Sequence, residues 1–196
     1  MGLTPLLQVE TYSRHDLLQL LPLLIEHGID VNSKTNVGAN ALDFLCRYYS
    51  KDNLIDVIQI LIQHEIDVNS KDNDGWNALH LLCLFYSKDN LIELVEILIQ
   101  HGIDVNSKTP NGWNALNLLC RHYSKDNLIK LVQILIQHGI DVNSKIPNGW
   151  NALDILFVSN YSNKNRKDIV QLLKQHGISV SFSASIFNFA MNLFHW

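Results

Sequence analysis

An all-α solenoid of stacked helix pairs with short β-hairpin tips is predicted by three observations. The stretch Ile-Asp-Val-Asn-Ser-Lys starts at Ile29, Ile66, Ile103 and Ile140, a constant step of 37 residues. Each copy is followed by Gly-x-Asn-Ala-Leu, from Gly38, Gly75, Gly112 and Gly149. Each full copy then holds two apolar-periodic stretches separated by a polar run. A fixed period means that one supersecondary unit recurs, and such units stack because none buries its apolar surface alone.

Residues 103–139 show the elements in order. Pro110-Asn111-Gly112 is a turn signal, since Pro presets φ while Asn and Gly tolerate positive φ. Leu116, Leu119, Cys120 and Tyr123 fall at i, i+3, i+4 and i+7, the stripe of a first helix. Ser124-Lys125-Asp126-Asn127 supplies N-cap residue types for a second helix, LIKLVQILIQ. Lys130, Gln133 and Gln137 make its solvent stripe, and Gly139 stands where a helix end favours φ > 0.

The array is expected over residues 1–180, with helix pairs at 2–28, 29–65, 66–102, 103–139 and 140–177. In the first pair Pro22 removes a helix hydrogen bond and should kink its helix. The leucines around it leave that end without a polar outer face, so the array continues or something covers it. At the other end Arg166, Lys167 and Lys174 stand where the first full repeat has Leu54, Ile55 and Ile62, which disfavours a further full repeat. Residues 181–196 form an apolar segment in which Ile186, Phe189, Ala190 and Leu193 share a helical face, suited to cap the stack or to dock elsewhere.

These motifs resemble the ankyrin repeat. Gly2-Leu3-Thr4-Pro5-Leu6-Leu7 is similar to the family's Gly-x-Thr-Pro-Leu-His, as more loosely is Gly75-Trp76-Asn77-Ala78-Leu79-His80. Leu135-Ile136-Gln137-His138-Gly139-Ile140-Asp141-Val142-Asn143 is similar to its helix end and return. The chain departs in having Asn-Ala for Thr-Pro and a period of 37 rather than about 33. The additional residues fall at Tyr-Ser-Lys-Asp-Asn, between the two helices, and should lengthen that loop without disturbing the stack.

Composition narrows the function classes. A net charge of −4 and a pI near 6.1 lack the basic surface that phosphate backbones need, so no nucleic-acid partner is expected. Neither a signal peptide nor a span of about 18 apolar residues is visible, which points to a cytoplasmic chain, or a nuclear one, that does not insert in a membrane. Cys46, Cys83 and Cys120 share one slot, too far apart for disulfides at a repeat spacing of about 10 Å, and read as core residues. His27, His64, His101, His138 and His176 each stand at or beside a helix end, where the dipole favours them, and cannot share a metal. Asp43, His80, Asn117 and Asp154 place different chemistries in one slot, and no nucleophile and base pair is visible. Neither an enzyme nor a cofactor is expected.

The candidate site is an aromatic ladder. Trp76, Trp113 and Trp150 follow the turn glycine, where Ala39 stands in the first full repeat. The resemblance implies that this slot, the tips and the first-helix ends line a concave binding face. Arg47, Tyr48, Leu84, Phe85, Arg121 and His122 would project from the helix ends, and Asp72, Asn73, Asp74, Thr109 and Asn111 from the tips. Tryptophan is enriched in interface hot spots because it adds much contact area for little entropy. Against this, each indole could simply pack on the stem of Lys71, Lys108 or Lys145, or on the neighbouring hairpin, and stiffen the tips. The expected function is a non-catalytic module that binds a protein or peptide. The alternative is a scaffold that self-associates through its terminal repeats and aromatic tail.

Overall fold

In the computed structural model, residues 14–159 and 165–179 are described, and among them lie nine α-helices and no strand. They divide between two compact units, Met1–Asp104 and Val105–Trp196. The first unit holds α1 (Arg14–Glu26), α2 (Ala41–Tyr48), α3 (Leu54–Gln63), α4 (Ala78–Phe85) and α5 (Leu91–Gln100). The second holds α6 (Ala115–His122), α7 (Leu128–Gln137), α8 (Ala152–Val158) and α9 (Arg166–Gln175). Within the first unit α2 packs on α4 and α1 on α3; within the second α6 packs on α8 and α7 on α9. The 2–13 part of the first pair and the 181–196 segment lie outside the described residues.

The two helices of a pair bury themselves differently. In α3 only Leu54, Val57, Ile58 and Leu61 are buried, a single stripe at i, i+3, i+4 and i+7. In α6 every residue from Ala115 to Cys120 is buried, because a first helix has neighbours on most sides. Each buried leucine or isoleucine contributes about 1.5–3 kcal/mol of transfer free energy. Helix α1 continues through Pro22.

Helix starts explain the Asn-Ala departure. Asn40, Asn77, Asn114 and Asn151 are N-caps, and each accepts a hydrogen bond from the backbone N–H three residues on. Reciprocally, Asp43 Oδ2, His80 Nδ1, Asn117 Oδ1 and Asp154 Oδ2 accept from the N-cap backbone N–H at 3.1, 3.3, 3.2 and 3.0 Å. The slot therefore asks only for a side-chain acceptor, which is why three residue types fill it. The cap amides also reach the next copy: Asn40 Nδ2 donates to Asp67 O at 3.0 Å, and Asn151 Nδ2 to Ser179 O at 2.5 Å.

Helix ends use the Schellman arrangement. After α5, Gly102 N–H donates to Ile99 O and Ile103 N–H to Leu98 O, both at 3.0 Å, with Gly102 at φ +84°. After α3 the same two bonds form, but the left-handed residue is Glu65, at φ 60°. The C-cap histidines add a side-chain bond. His101 and His176 place Nδ1 at 2.8 and 2.9 Å from the carbonyls of Ile97 and Leu172, so Nδ1 carries the donated proton.

Two expectations need correction. The Ser-Lys-Asp-Asn run does not cap the second helices with its asparagines. Asn53, Asn90 and Asn127 occupy the N-cap position without a side-chain cap bond and instead accept from Tyr49, Tyr86 and Tyr123 hydroxyls at 2.9, 2.8 and 2.8 Å. Burying each tyrosine anchors its lengthened loop, and Tyr123 lies one residue beyond α6 rather than within it. The tips are not strand hairpins. Gly75 N–H donates to Asp72 O and Asp72 N–H to Trp76 O, both at 2.9 Å, which closes a tight turn in which Gly75 takes φ +74°. No ladder extends from it, because the next residue, Asn77, already caps α4.

Successive copies are also stapled by the asparagine of Ile-Asp-Val-Asn. Asn69 Nδ2 donates to Gly102 O at 2.8 Å while Asn69 Oδ1 accepts from Asp104 N–H at 2.7 Å. Asn32 does the same to Glu65 O and Asp67 N–H, and Asn106 to Gly139 O and Asp141 N–H. No described helix is long and apolar enough to cross a membrane.

Candidate functional site

In the first unit α2 bears the half-buried Phe44 and, in its last turn, the exposed Arg47 and Tyr48, and α4 ends on Phe85. The Phe44 and Tyr48 rings lie 4.8 Å apart with planes inclined at 47°. The Arg47 guanidinium sits 5.4 Å from the Tyr48 centroid and 4.9 Å from that of Phe85. At these distances the cation is attracted by both ring faces, each contact contributing about 0.5–1 kcal/mol at an exposed site. The helix-end residues of two successive repeats thus form one arginine–aromatic cluster. Tyr48 is 48% and Phe85 47% exposed, while Leu84 is half-buried.

Beside this cluster opens a pocket of about 260 Å³, lined by Val37, Ala39, Asp43, Phe44, Tyr48 and Leu81 among others. Asp43 is buried, and that burial pushes its carboxyl up to about 7, against the stabilising bond from Asn40 N–H. Asp72 also lines the pocket, and its Oδ1 accepts from Asp74 N–H at 3.0 Å and Trp76 N–H at 2.8 Å. Asn73 ties tips together, donating from Nδ2 to Asn36 O and from its backbone to Val37 O. Asp74 is exposed. Trp76 is half-buried and meets the His80 ring edge-on at 6.0 Å.

In the second unit the Trp113 ring lies 6.4 Å from that of His122, at the end of the same helix pair's first helix. Burial first, and then the adjacent Arg121 charge, hold His122 below the ordinary histidine range. Arg121 and Asn111 are exposed, and Trp150 is half-buried. Thr109 is only 4% exposed and its Oγ1 accepts from Trp113 N–H at 3.2 Å, so it holds the turn rather than facing solvent. Ring contacts place Trp76 beside His80 and Trp113 beside His122.

The cysteines are free and buried. Burial holds the Cys46 and Cys83 thiols well above their ordinary value and that of Cys120 at about 12, which keeps them protonated and unreactive. Among the described residues no cluster of three metal-ligating side chains occurs. Phe44, Val37 and the pocket they line are not among the residues that the repeat pattern marks as a candidate site. The signal was the alanine at position 39, in a slot that holds tryptophan in every later copy.

Comparison with curated proteins finds no match. The family model for ankyrin repeats, described as three copies, matches residues 9–109 and again 82–184. Those matches span most of the 196 residues and follow the helix pairs, capped starts and Schellman ends described above, so the chain belongs to the ankyrin-repeat family.

Proposed function

We propose that this chain is a non-catalytic interaction module that binds a protein or peptide through the face made by its tips and first-helix ends. Ankyrin repeats are in general protein–protein interaction modules, and that supports the class. One observation carries the location. Among the described residues four large apolar side chains are exposed, Leu23, Val37, Tyr48 and Phe85. Three of these stand at the tip and helix ends of one unit, around Arg47. Exposed aromatic residues and arginine are the types that dominate binding hot spots, and one such truncation typically costs about 2 kcal/mol or more of affinity.

The contributing residues in the first unit are Arg47, Tyr48, Phe85 and Trp76, with Asp74 at the tip. In the second unit Trp113, Arg121, His122, Asn111 and Trp150 offer the same chemistry. The test is capture of partners by the intact chain and by a Tyr48→Ser, Phe85→Ser double variant, with melting curves of both. Partners lost at unchanged stability support the reading; partners kept at unchanged stability remove it. Leu23, 51% exposed on α1, favours a second reading, self-association through the first helix pair. Light scattering tests that reading, and a chain that stays monomeric with concentration discards it.

A further inference from the structure

The pocket in the first unit stands where the other repeats keep an indole. Trp76 leans on His80 and Trp113 on His122, with centroids 6.0 and 6.4 Å apart. In the first full repeat, one period before Trp76 and His80 and two before His122, the counterparts are Ala39, Asp43 and Tyr48. All three line the 260 Å³ pocket. The residues against which an indole rests elsewhere are here the walls of an opening, and the alanine is why the opening exists.

The walls also suit an indole chemically. Phe44 and Tyr48 offer inclined ring faces 4.8 Å apart, and Leu81 adds apolar surface. Among the lining residues Asp43 and Asp72 bring carboxyl acceptors, beside Thr35 and Asn36. An indole brings one N–H donor and no acceptor. A cationic side chain fits less well, because Arg47 lines the same pocket and burial keeps Asp43 partly protonated near neutral pH.

We propose that this pocket takes the indole of a tryptophan in a partner peptide, its ring against Phe44 and Tyr48 and its N–H directed to the Asp43 and Asp72 carboxyl groups. This rests on the protein-binding reading above and names what that partner must carry.

The probe is 5-fluoroindole, titrated into the full chain and followed by 19F NMR. Saturable binding with Kd of about 1 mM or tighter is expected. Ala39→Trp, which fills the pocket from within, should weaken binding at least tenfold while circular dichroism stays helical. Tyr48→Ser, at an exposed position, should weaken it about fivefold and serves if the first variant does not fold. Absence of saturable binding by the folded chain, or undiminished binding by either folded variant, overturns the proposal. So does displacement of the probe by n-butylammonium at lower concentration than by unlabelled indole, which would make the occupant a lysine. The two readings fail separately. Partners that are lost with Phe85→Ser although the chain ignores indole leave the binding face standing without this occupant. Indole binding combined with partner capture indifferent to Tyr48→Ser and Phe85→Ser overturns both.

Discussion

Replacing Glu65 with glycine should stabilise the protein. Glu65 sits at φ 60°, while Gly28, Gly102, Gly139 and Gly177 hold the same slot at φ between 78° and 85°. A left-handed backbone costs an L-residue roughly 1–2 kcal/mol, because its Cβ crowds the following carbonyl. The local bonds that enforce it are intact: Glu65 N–H donates to Ile62 O, Ile66 N–H to Leu61 O, and Glu65 O accepts from Asn32 Nδ2 at 2.9 Å. Glycine relieves the strain but makes the unfolded chain looser, which takes back about 0.4–1 kcal/mol. The net gain is about 0.5–1 kcal/mol. With a urea m-value of about 2 kcal/mol/M, the unfolding midpoint should rise by about 0.25–0.5 M at unchanged slope. Gly102→Ala is the converse control, since a Cβ there meets nothing within 4 Å and any loss is backbone strain less the gain from a stiffer unfolded chain. An unchanged or lower midpoint for Glu65→Gly, with Gly102→Ala neutral, would show that the left-handed backbone at this slot stores no strain.

Further outcomes follow from the caps, staples and buried carboxyl. Asp43 has its carboxyl raised from 3.8 to about 7, so between those values the unfolded chain ionises while the folded one stays protonated, and stability falls as pH rises through that window. Asp43→Asn, the amide chemistry that Asn117 already supplies in its own repeat, should flatten that fall and stabilise at pH 8 by up to about 4 kcal/mol, read from urea midpoints at pH 4 and pH 8. Asn69→Ala removes the paired bonds to Gly102 O and Asp104 N–H and should destabilise by about 1–2 kcal/mol in chemical denaturation. Asn77→Ala, which deletes the cap of α4, should cost about 1–2 kcal/mol, whereas His80→Asn keeps the acceptor and should stay within about 0.5 kcal/mol in the same assay.

The helix pairs were legible because period, turn residues and apolar stripes are local and repeat. Gly139 at a positive φ after α7 needed nothing beyond its place in the pattern. What the sequence hid was the use of polar side chains across copies. Asn69 looks like any loop asparagine until the fold brings Gly102 O and Asp104 N–H to it from 33 and 35 residues away. Asn127 looked like a cap because it precedes a helix, but a buried tyrosine hydroxyl competes for its oxygen and wins. The mixed slot at Asp43, His80, Asn117 and Asp154 gave no hint of a shared task, since an acceptor requirement is invisible to residue type. At the candidate site, the ladder of tryptophans was plain in the sequence. The cluster that joins Arg47 to both Tyr48 and Phe85 was not, because it depends on the packing of α2 against α4.

The proposed binding of a partner by the arginine–aromatic face of the first unit rests on Arg47, Tyr48 and Phe85. Its most direct test is affinity capture with mass-spectrometric identification, comparing the intact chain with the Tyr48→Ser, Phe85→Ser variant at matched melting temperature. A discrete partner should be held by the intact chain and lost by the variant. A partner set identical for the two stably folded chains would contradict it.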